Sequence, residues 1–296
     1  AAHRKRAGRY RPLRGLVRSR ALNSATEPLT AAHRAAVLLF RAGFSALCPV
    51  IIERMNDNPD CIDEVSARLI QCRTCPRLTA WREQTAEAKR RAFQDQLYCS
   101  KPVPGFGDPN ARLLAVGLAP GAHGSNRTGR MFTGDASGDF LYPALFRAGF
   151  ASSPRAERVG DGLRLLDLYI TAICRCAPPG NKPMPEEIRA CRGWLQAEMD
   201  CLAHVEGIVL LGKIALDGVL ALPMYAGLRR KELPFRHGAF YAPAGLPWLL
   251  CSYHPSRQNT QTGRLTPEML DAIWQKAGRL LDGSRRDVPH LSRILF

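Results

Sequence analysis

The stretch Gly117-Leu-Ala-Pro-Gly-Ala-His-Gly-Ser-Asn-Arg-Thr-Gly-Arg-Met-Phe-Thr-Gly-Asp135 decides how the rest of the chain is read. Before it stands Leu113-Leu-Ala-Val116, an apolar run of strand length. After it, residues 140–148 read as the start of a helix. Strand, long loop and helix form the layout in which open α/β proteins take ligands, at the carboxyl ends of parallel strands. Such connections normally span two to six residues, and one of about twenty is functional or disordered. Its five glycines, Gly117, Gly121, Gly124, Gly129 and Gly134, let the backbone come close to a flat ligand. His123, Asn126, Arg127, Arg130, Phe132 and Asp135 are its polar or stacking groups.

Outward from this loop, further apolar runs recur at 168–174, 207–211 and 248–253, with helical patterns at 140–148, 185–203 and 214–221 between them. Continuous apolar strands alternating with helices predict an α/β fold, a parallel sheet of four strands covered on both faces. Each strand runs into unusual residues. The second leads to Arg175-Cys-Ala-Pro-Pro-Gly-Asn-Lys182, the third to Gly212-Lys213, and the fourth to His254-Pro-Ser-Arg-Gln-Asn-Thr-Gln-Thr-Gly263. Four loops at one edge of one sheet converge on a single cleft. A last helix is expected over 267–281.

Upstream, helices are expected at 35–47, 63–69 and 81–96, the last two flanking Cys72-Arg-Thr-Cys75. Residues 1–25 are Arg-rich and acid-free and read as disordered. The organisation expected is a basic extension over 1–58, one folded domain over 59–284 and a tail over 285–296. Net charge is +16, of which residues 59–296 contribute +8 (31 basic against 23 acidic), so the folded part is basic without the extension. That suits a polyanionic partner, although a solvated basic surface gives the same count. Hydrophobic content of 46% supplies a real core, but no apolar run is long enough to span a membrane.

Of the ten cysteines, Cys72 and Cys75 form a CxxC and Cys174 and Cys176 end an apolar run. With no signal-peptide pattern, a cytoplasmic, reducing setting is the default, and this placement argues against a disulfide framework. Cys72, Cys75, Cys176 and Cys191 make a four-thiolate set for a [4Fe–4S] cluster or for zinc, with simple burial the remaining alternative. Spacing does not separate these, and Cys174, two residues before Cys176, is a rival ligand. His254 reads either as a hydrogen-bonded strand-end residue or as a donor to a negatively charged leaving group. Asp135 reads as an N-cap or as a carboxylate that orients water or stabilises a cation. Phe132 reads as core or as a platform for a base.

Three motifs in this order, with the four cysteines, resemble the family 5 (type b) iron–sulfur uracil-DNA glycosylases. They are the glycine stretch, Cys176-Ala-Pro-Pro-Gly-Asn-Lys-Pro183 and His254-Pro-Ser-Arg-Gln-Asn-Thr-Gln-Thr-Gly263. The resemblance covers about residues 68–282. It implies a three-layer αβα fold with a four-stranded parallel sheet, a structural [4Fe–4S] cluster on Cys72, Cys75, Cys176 and Cys191, and hydrolysis of the bond between a deaminated base and its sugar. It further implies that Phe132 stacks on the flipped base and that His254 donates to a base carbonyl. Asp135 would serve the cation-like sugar and the water, and Asn181 the base or the water. Backbone of Gly117, Leu118, Ala119 and Pro120 would line the pocket. Lys213 and Ser256 would meet phosphate, and the loop with Arg257, Gln258 and Asn259 would enter the groove. Leu118 and Ala172 stand where the related family 4 carries Glu and Asn, which implies looser base selection, with hypoxanthine and modified pyrimidines besides uracil. DNA is the implied partner and a monomer the expected state, nucleoid-associated if the host is a prokaryote. The competing class is a catalytically silent iron–sulfur or zinc module that binds nucleic acid.

Overall fold

The computed structural model describes residues 60–286. The 1–58 extension, the helix expected at 35–47 and nearly all of the 285–296 tail lie outside the described residues. In chain order the helices are α1 (Cys61–Leu69), α2 (Pro76–Ala88), α3 (Ser125–Thr128), α4 (Ala136–Arg147), α5 (Pro185–Cys201), α6 (Lys213–Val219), α7 (Arg257–Gln261) and α8 (Pro267–Arg286). The strands are β1 (Phe106–Gly107), β2 (Leu113–Gly117), β3 (Leu168–Ala172), β4 (Gly207–Leu211), β5 (Phe240–Tyr241) and β6 (Trp248–Ser252).

The four apolar runs are the four parallel strands β3, β2, β4 and β6, in that spatial order. The sheet has six strands rather than four, because β1 and β5 add antiparallel to its two edges. Each edge strand is two residues long, too short to leave a periodic pattern in sequence. The central strands are buried on both faces, which is why they read as continuous apolar runs. Leu113, Ala115, Ile170, Val209 and Leu250 point to one core, closed by Leu141 and Leu145 of α4 and Leu270 and Trp274 of α8. Leu114, Val116, Tyr169, Leu210 and Leu249 point to the other, closed by Leu195 of α5 and Leu216 and Val219 of α6. Among the described residues no helix is long and apolar enough to cross a membrane.

Two expected boundaries are corrected. The helix placed at 81–96 begins at Pro76, where a ring without an N–H costs nothing in the first turn, and ends before Lys89, whose φ of 42° leaves the helical region. The segment after His254 is the short helix α7 rather than an open loop, with Ser256 Oγ capping the Asn259 N–H at 3.4 Å.

The cysteine reading is corrected in one respect: Cys61 and Cys201 form a disulfide, with Cα atoms 5.7 Å apart and 140 residues between them in sequence. It ties the start of α1 to the end of α5, which pack together. Pairing over such a distance has no local signal in sequence.

Register places the site. Gly117 pairs with Ala172, and beyond the strands Ile173 N and Cys174 N donate to the carbonyls of Gly117 (3.0 Å) and Leu118 (2.9 Å). Leu211 pairs with Ser252, so the turn at Gly212 and the segment at His254 leave the sheet side by side. All four connections emerge at the carboxyl edge, as the sequence predicts.

A candidate active site and a cysteine-walled cavity

The glycine loop is fixed by its own polar side chains. Arg127 donates from Nε to His123 O (2.8 Å) and from Nη2 to Gly134 O (2.8 Å), and lies 4.0 Å from the Phe93 ring centroid. Arg130 is bidentate on Asp161 (2.8 and 2.6 Å), and this guanidinium holds the Asp161 carboxyl far below the usual carboxylate range. Asn126, wholly buried, donates to Ala122 O (3.3 Å) and Arg82 O (3.2 Å). These three residues therefore serve the loop and not a ligand. A loop this long would be mobile if its backbone were left to water; here it is strapped at both ends.

That scaffold presents Phe132, His254 and Asp135. Phe132 has φ +50°, a conformation a bulky side chain adopts only where its surroundings impose it. Its ring centroid lies 5.9 Å from that of His254, the planes inclined by 32°. A Cβ on Gly117 would sit 2.7 Å from Phe132 Cζ, so only glycine lets the ring lie against the end of β2. Phe132 is 8% exposed and packs on the core as well as meeting His254.

His254 is half-buried and held through its carbonyl, which accepts from Asn259 Nδ2 at 2.8 Å. Burial pushes its pKa down to about 4, so the ring is neutral at neutral pH. The preceding Tyr253 is clamped by His237, whose ring stacks on it at 5.0 Å and whose Nδ1 accepts its N–H at 3.1 Å.

Asp135 does two things with its two oxygens. Oδ1 accepts from Ser137 N (3.0 Å) and Gly138 N (3.2 Å), the N-cap of α4. Oδ2 faces Gly121 and Gly124; a Cβ on Gly124 would fall 1.9 Å from it. Burial raises the Asp135 pKa and the two N–H bonds oppose that. The cap reading and the site reading of Asp135 are therefore compatible.

The other expected residues divide. Arg257 and Gln258 are exposed on α7. Ser256 and Asn259 are occupied, the one capping α7 and the other holding His254. Lys213 pairs with Asp217 at 2.8 Å, an acid that also takes Arg230. Asn181 is exposed at φ +57° in the turn Pro179–Asn181, and no hydrogen bond among the described residues joins it to Asp135 or His254. Of the pocket backbone, the carbonyls of Gly117 and Leu118 are taken by β3. His237, Tyr98 (3.0 Å from His123 Nδ1) and Arg82 were not singled out by motif, since each acts through a neighbour.

On the α5 and α6 face, Cys72, Cys75, Cys176 and Cys191 line one cavity with Arg175 and Trp194. Cys174 is fully buried and does not line that cavity. As free thiols, Cys75 is pushed up to about 11 and Cys176 to about 12, chiefly by burial, with the other cysteines of the set adding to it. Among the described residues no three His, Cys, Asp or Glu side chains are grouped around one ion-sized point. Four cysteines on the lining of one cavity are the donor set of an iron–sulfur cluster or of zinc.

An open α/β sheet with a rigid glycine loop at its carboxyl edge, an aromatic–histidine pair and a capped carboxylate defines a ligand-binding α/β protein with an accessory cysteine site. Residues 104–278 match the family model described as the uracil DNA glycosylase superfamily. The chain belongs to that superfamily. It is 58% identical over 212 residues (72% of this chain, 94% of the relative) to a type-5 uracil-DNA glycosylase of Thermus thermophilus. It is 52% identical over 221 residues (74% and 95%) to one of Mycobacterium leprae. A type-4 uracil-DNA glycosylase of Pyrobaculum aerophilum is 33% identical over 195 residues (64% and 90%).

Proposed function

We propose that this chain is a DNA-repair glycosylase that hydrolyses the N-glycosidic bond of uracil in DNA, leaving free base and an abasic site. The observation that carries the reading is the Phe132–His254 pair on Gly117, with Asp135 three residues on, in a chain whose relatives bear the name type-5 uracil-DNA glycosylase. An enzyme that works on a base first takes it out of the duplex stack. Phe132 then receives the flipped base. As the bond to the sugar lengthens, negative charge builds on the base oxygens, and the neutral His254 donates to one of them. Among the described residues no hydrogen bond uses its ring nitrogens, so a donor is available.

The sugar becomes cation-like as the base leaves. Asp135 accepts the Ser137 and Gly138 N–H groups through Oδ1, which oppose the upward pull of burial on its pKa and leave Oδ2 to stabilise that charge and to orient the attacking water. Leu118 and Ala172 add no polar selector, so hypoxanthine and other deaminated or modified bases are accommodated besides uracil. Arg257 and Gln258 on α7 reach the groove, and the monomer works on chromosomal DNA in the cytoplasm. Cys72, Cys75, Cys176 and Cys191 would hold a [4Fe–4S] cluster, which supplies structure, tying the α1–α2 arm to α5 and to the segment after β3. Loss of Asp135 or His254 would have favoured the silent-module reading, and both are present.

The test is release of base. The protein is incubated with a duplex holding one deoxyuridine, and abasic sites are then cut with alkali. Strand cleavage only after protein treatment is expected; intact strands after treatment with iron-loaded protein would overturn the reading.

A further inference from the structure

Arg82 of α2 is 3% exposed, yet no carboxylate neutralises it closely. Glu83 Oε1 is 3.8 Å away and lies 2.6 Å from Arg73 instead. The Arg82 guanidinium donates to Cys176 Sγ at 3.0 Å and to Cys72 O at 3.3 Å, and its Nε is buried without a partner. Arg175, equally buried and lining the cavity, differs in having both terminal nitrogens on Glu198. A buried cation whose nearest carboxylate is 3.8 Å away and shared with a second arginine is poorly compensated, which is unfavourable. Neutral thiols do not supply that charge, and metal-bound thiolates do.

We propose that Arg82 is the built-in counter-cation of the cysteine site, neutralising an anionic metal–thiolate group on Cys72, Cys75, Cys176 and Cys191 and positioning the glycine loop against it. The second half of this role runs through its backbone. Asn126 of the glycine loop, with no exposed surface, donates Nδ2 to Arg82 O at 3.2 Å, and Cys99 N and Ser100 N bind the next carbonyls of that loop, those of Arg127 and Asn126. One residue thus touches the cysteine cavity with its side chain and the candidate active-site loop with its carbonyl. The inference rests on the iron–sulfur reading of the four cysteines. Arg82 is a positioning residue and not a catalytic one.

The experiment uses the full chain as wild type, Arg82→Met, Arg82→Lys and the exposed control Arg155→Met, far in sequence from the cysteines. It measures iron and acid-labile sulfide per chain, the decay of absorbance under chelator, and the Tm of loaded and metal-stripped protein. Loss of the thiolate–iron absorbance near ~400 nm is expected to be at least ~10-fold faster in Arg82→Met, the usual scale for removing an outer partner of a metal site. Arg82→Lys, which keeps the charge, is expected within about 3-fold of wild type. Arg155→Met is expected to behave as wild type. Stripped Arg82→Met is expected to melt at or above stripped wild type, because an unbalanced buried charge has gone. Wild-type decay rates in Arg82→Met would overturn the proposal. So would a Tm lowered in both loaded and stripped forms, or failure of the variant to fold, since either marks a packing role. Wild-type protein free of iron and sulfide would sink the iron–sulfur reading first, and this inference with it.

Discussion

Burial alone moves the His254 imidazole, down to about 4 from its ordinary 6.5, and this fixes its protonation state. An uncharged ring donates through N–H at neutral pH, as the proposed step requires. Turnover is therefore expected to hold level through pH 6.5 and to fall only as pH approaches about 4, which initial rates across that range would check. The same shift has a stability consequence. Between about 4 and 6.5 the unfolded chain binds this proton and the folded chain does not, so stability rises with pH across that window and is lost as pH falls through it. His254→Gln is expected to flatten the dependence of Tm on pH in that window relative to wild type; an unchanged slope contradicts a buried neutral ring. A second expectation concerns Gly124, where a Cβ would fall 1.9 Å from Asp135 Oδ2. Gly124→Ala should displace the carboxylate, cutting turnover by at least ~10-fold, with about 1 kcal/mol lost from the α4 cap, measured by single-turnover rates and Tm. Phe132, Asp135 and His254 are singled out in sequence by a glycine-rich loop and a strand end, and the structure brings the Phe132 and His254 rings together. Asn259, Lys213, Asn126, Arg127 and Arg130 were not, because sequence does not say whether a polar side chain turns to a ligand or back to its own chain. Here they turn back.

Among the elements, the arm made by α1 and α2 depends on long-range ties. The Cys61–Cys201 disulfide closes a loop of 140 residues onto α5, and in the chain-entropy description such a closure is worth about 3–5 kcal/mol. Cys201→Ser is expected to lower Tm by roughly 10 °C under oxidising conditions and to make no difference in excess reductant, where both proteins lack the bond. Equal Tm values under oxidising conditions would remove the disulfide from the account. The longer helices were legible from their apolar spacing, but the start of α2 at Pro76 was not, because a charge-dense helix beginning on a proline carries little apolar periodicity. The 140-residue pairing and the two-residue edge strands were not, since neither leaves a local pattern.

For the whole molecule, the parallel sheet buried on both faces was the most legible feature, because each central strand reads as an unbroken apolar run between turn formers. The charge was legible in total but not in direction. Net charge of +16 favours DNA, yet Lys213 and Arg230 share Asp217 while Arg257 stands exposed with no ion pair among the described residues. Arg257→Ala is expected to weaken duplex binding and to reduce the slope of log K against log salt by about one, whereas Lys213→Ala changes it less. Titrations at several salt concentrations would check this, and equal effects of the two substitutions would count against the α7 face as the DNA-binding edge.

The most direct measurement is single-turnover uracil release from a deoxyuridine duplex by wild type, Asp135→Asn and His254→Ala, with duplex affinity measured on the same samples. Wild type is predicted to release uracil, and each variant to do so at least ~10-fold more slowly, with affinity for the duplex kept within a few-fold. Variants that release uracil at the wild-type rate, or a wild type that releases none, would contradict the central claim that the Phe132–His254–Asp135 cleft is the active site of a uracil-DNA glycosylase.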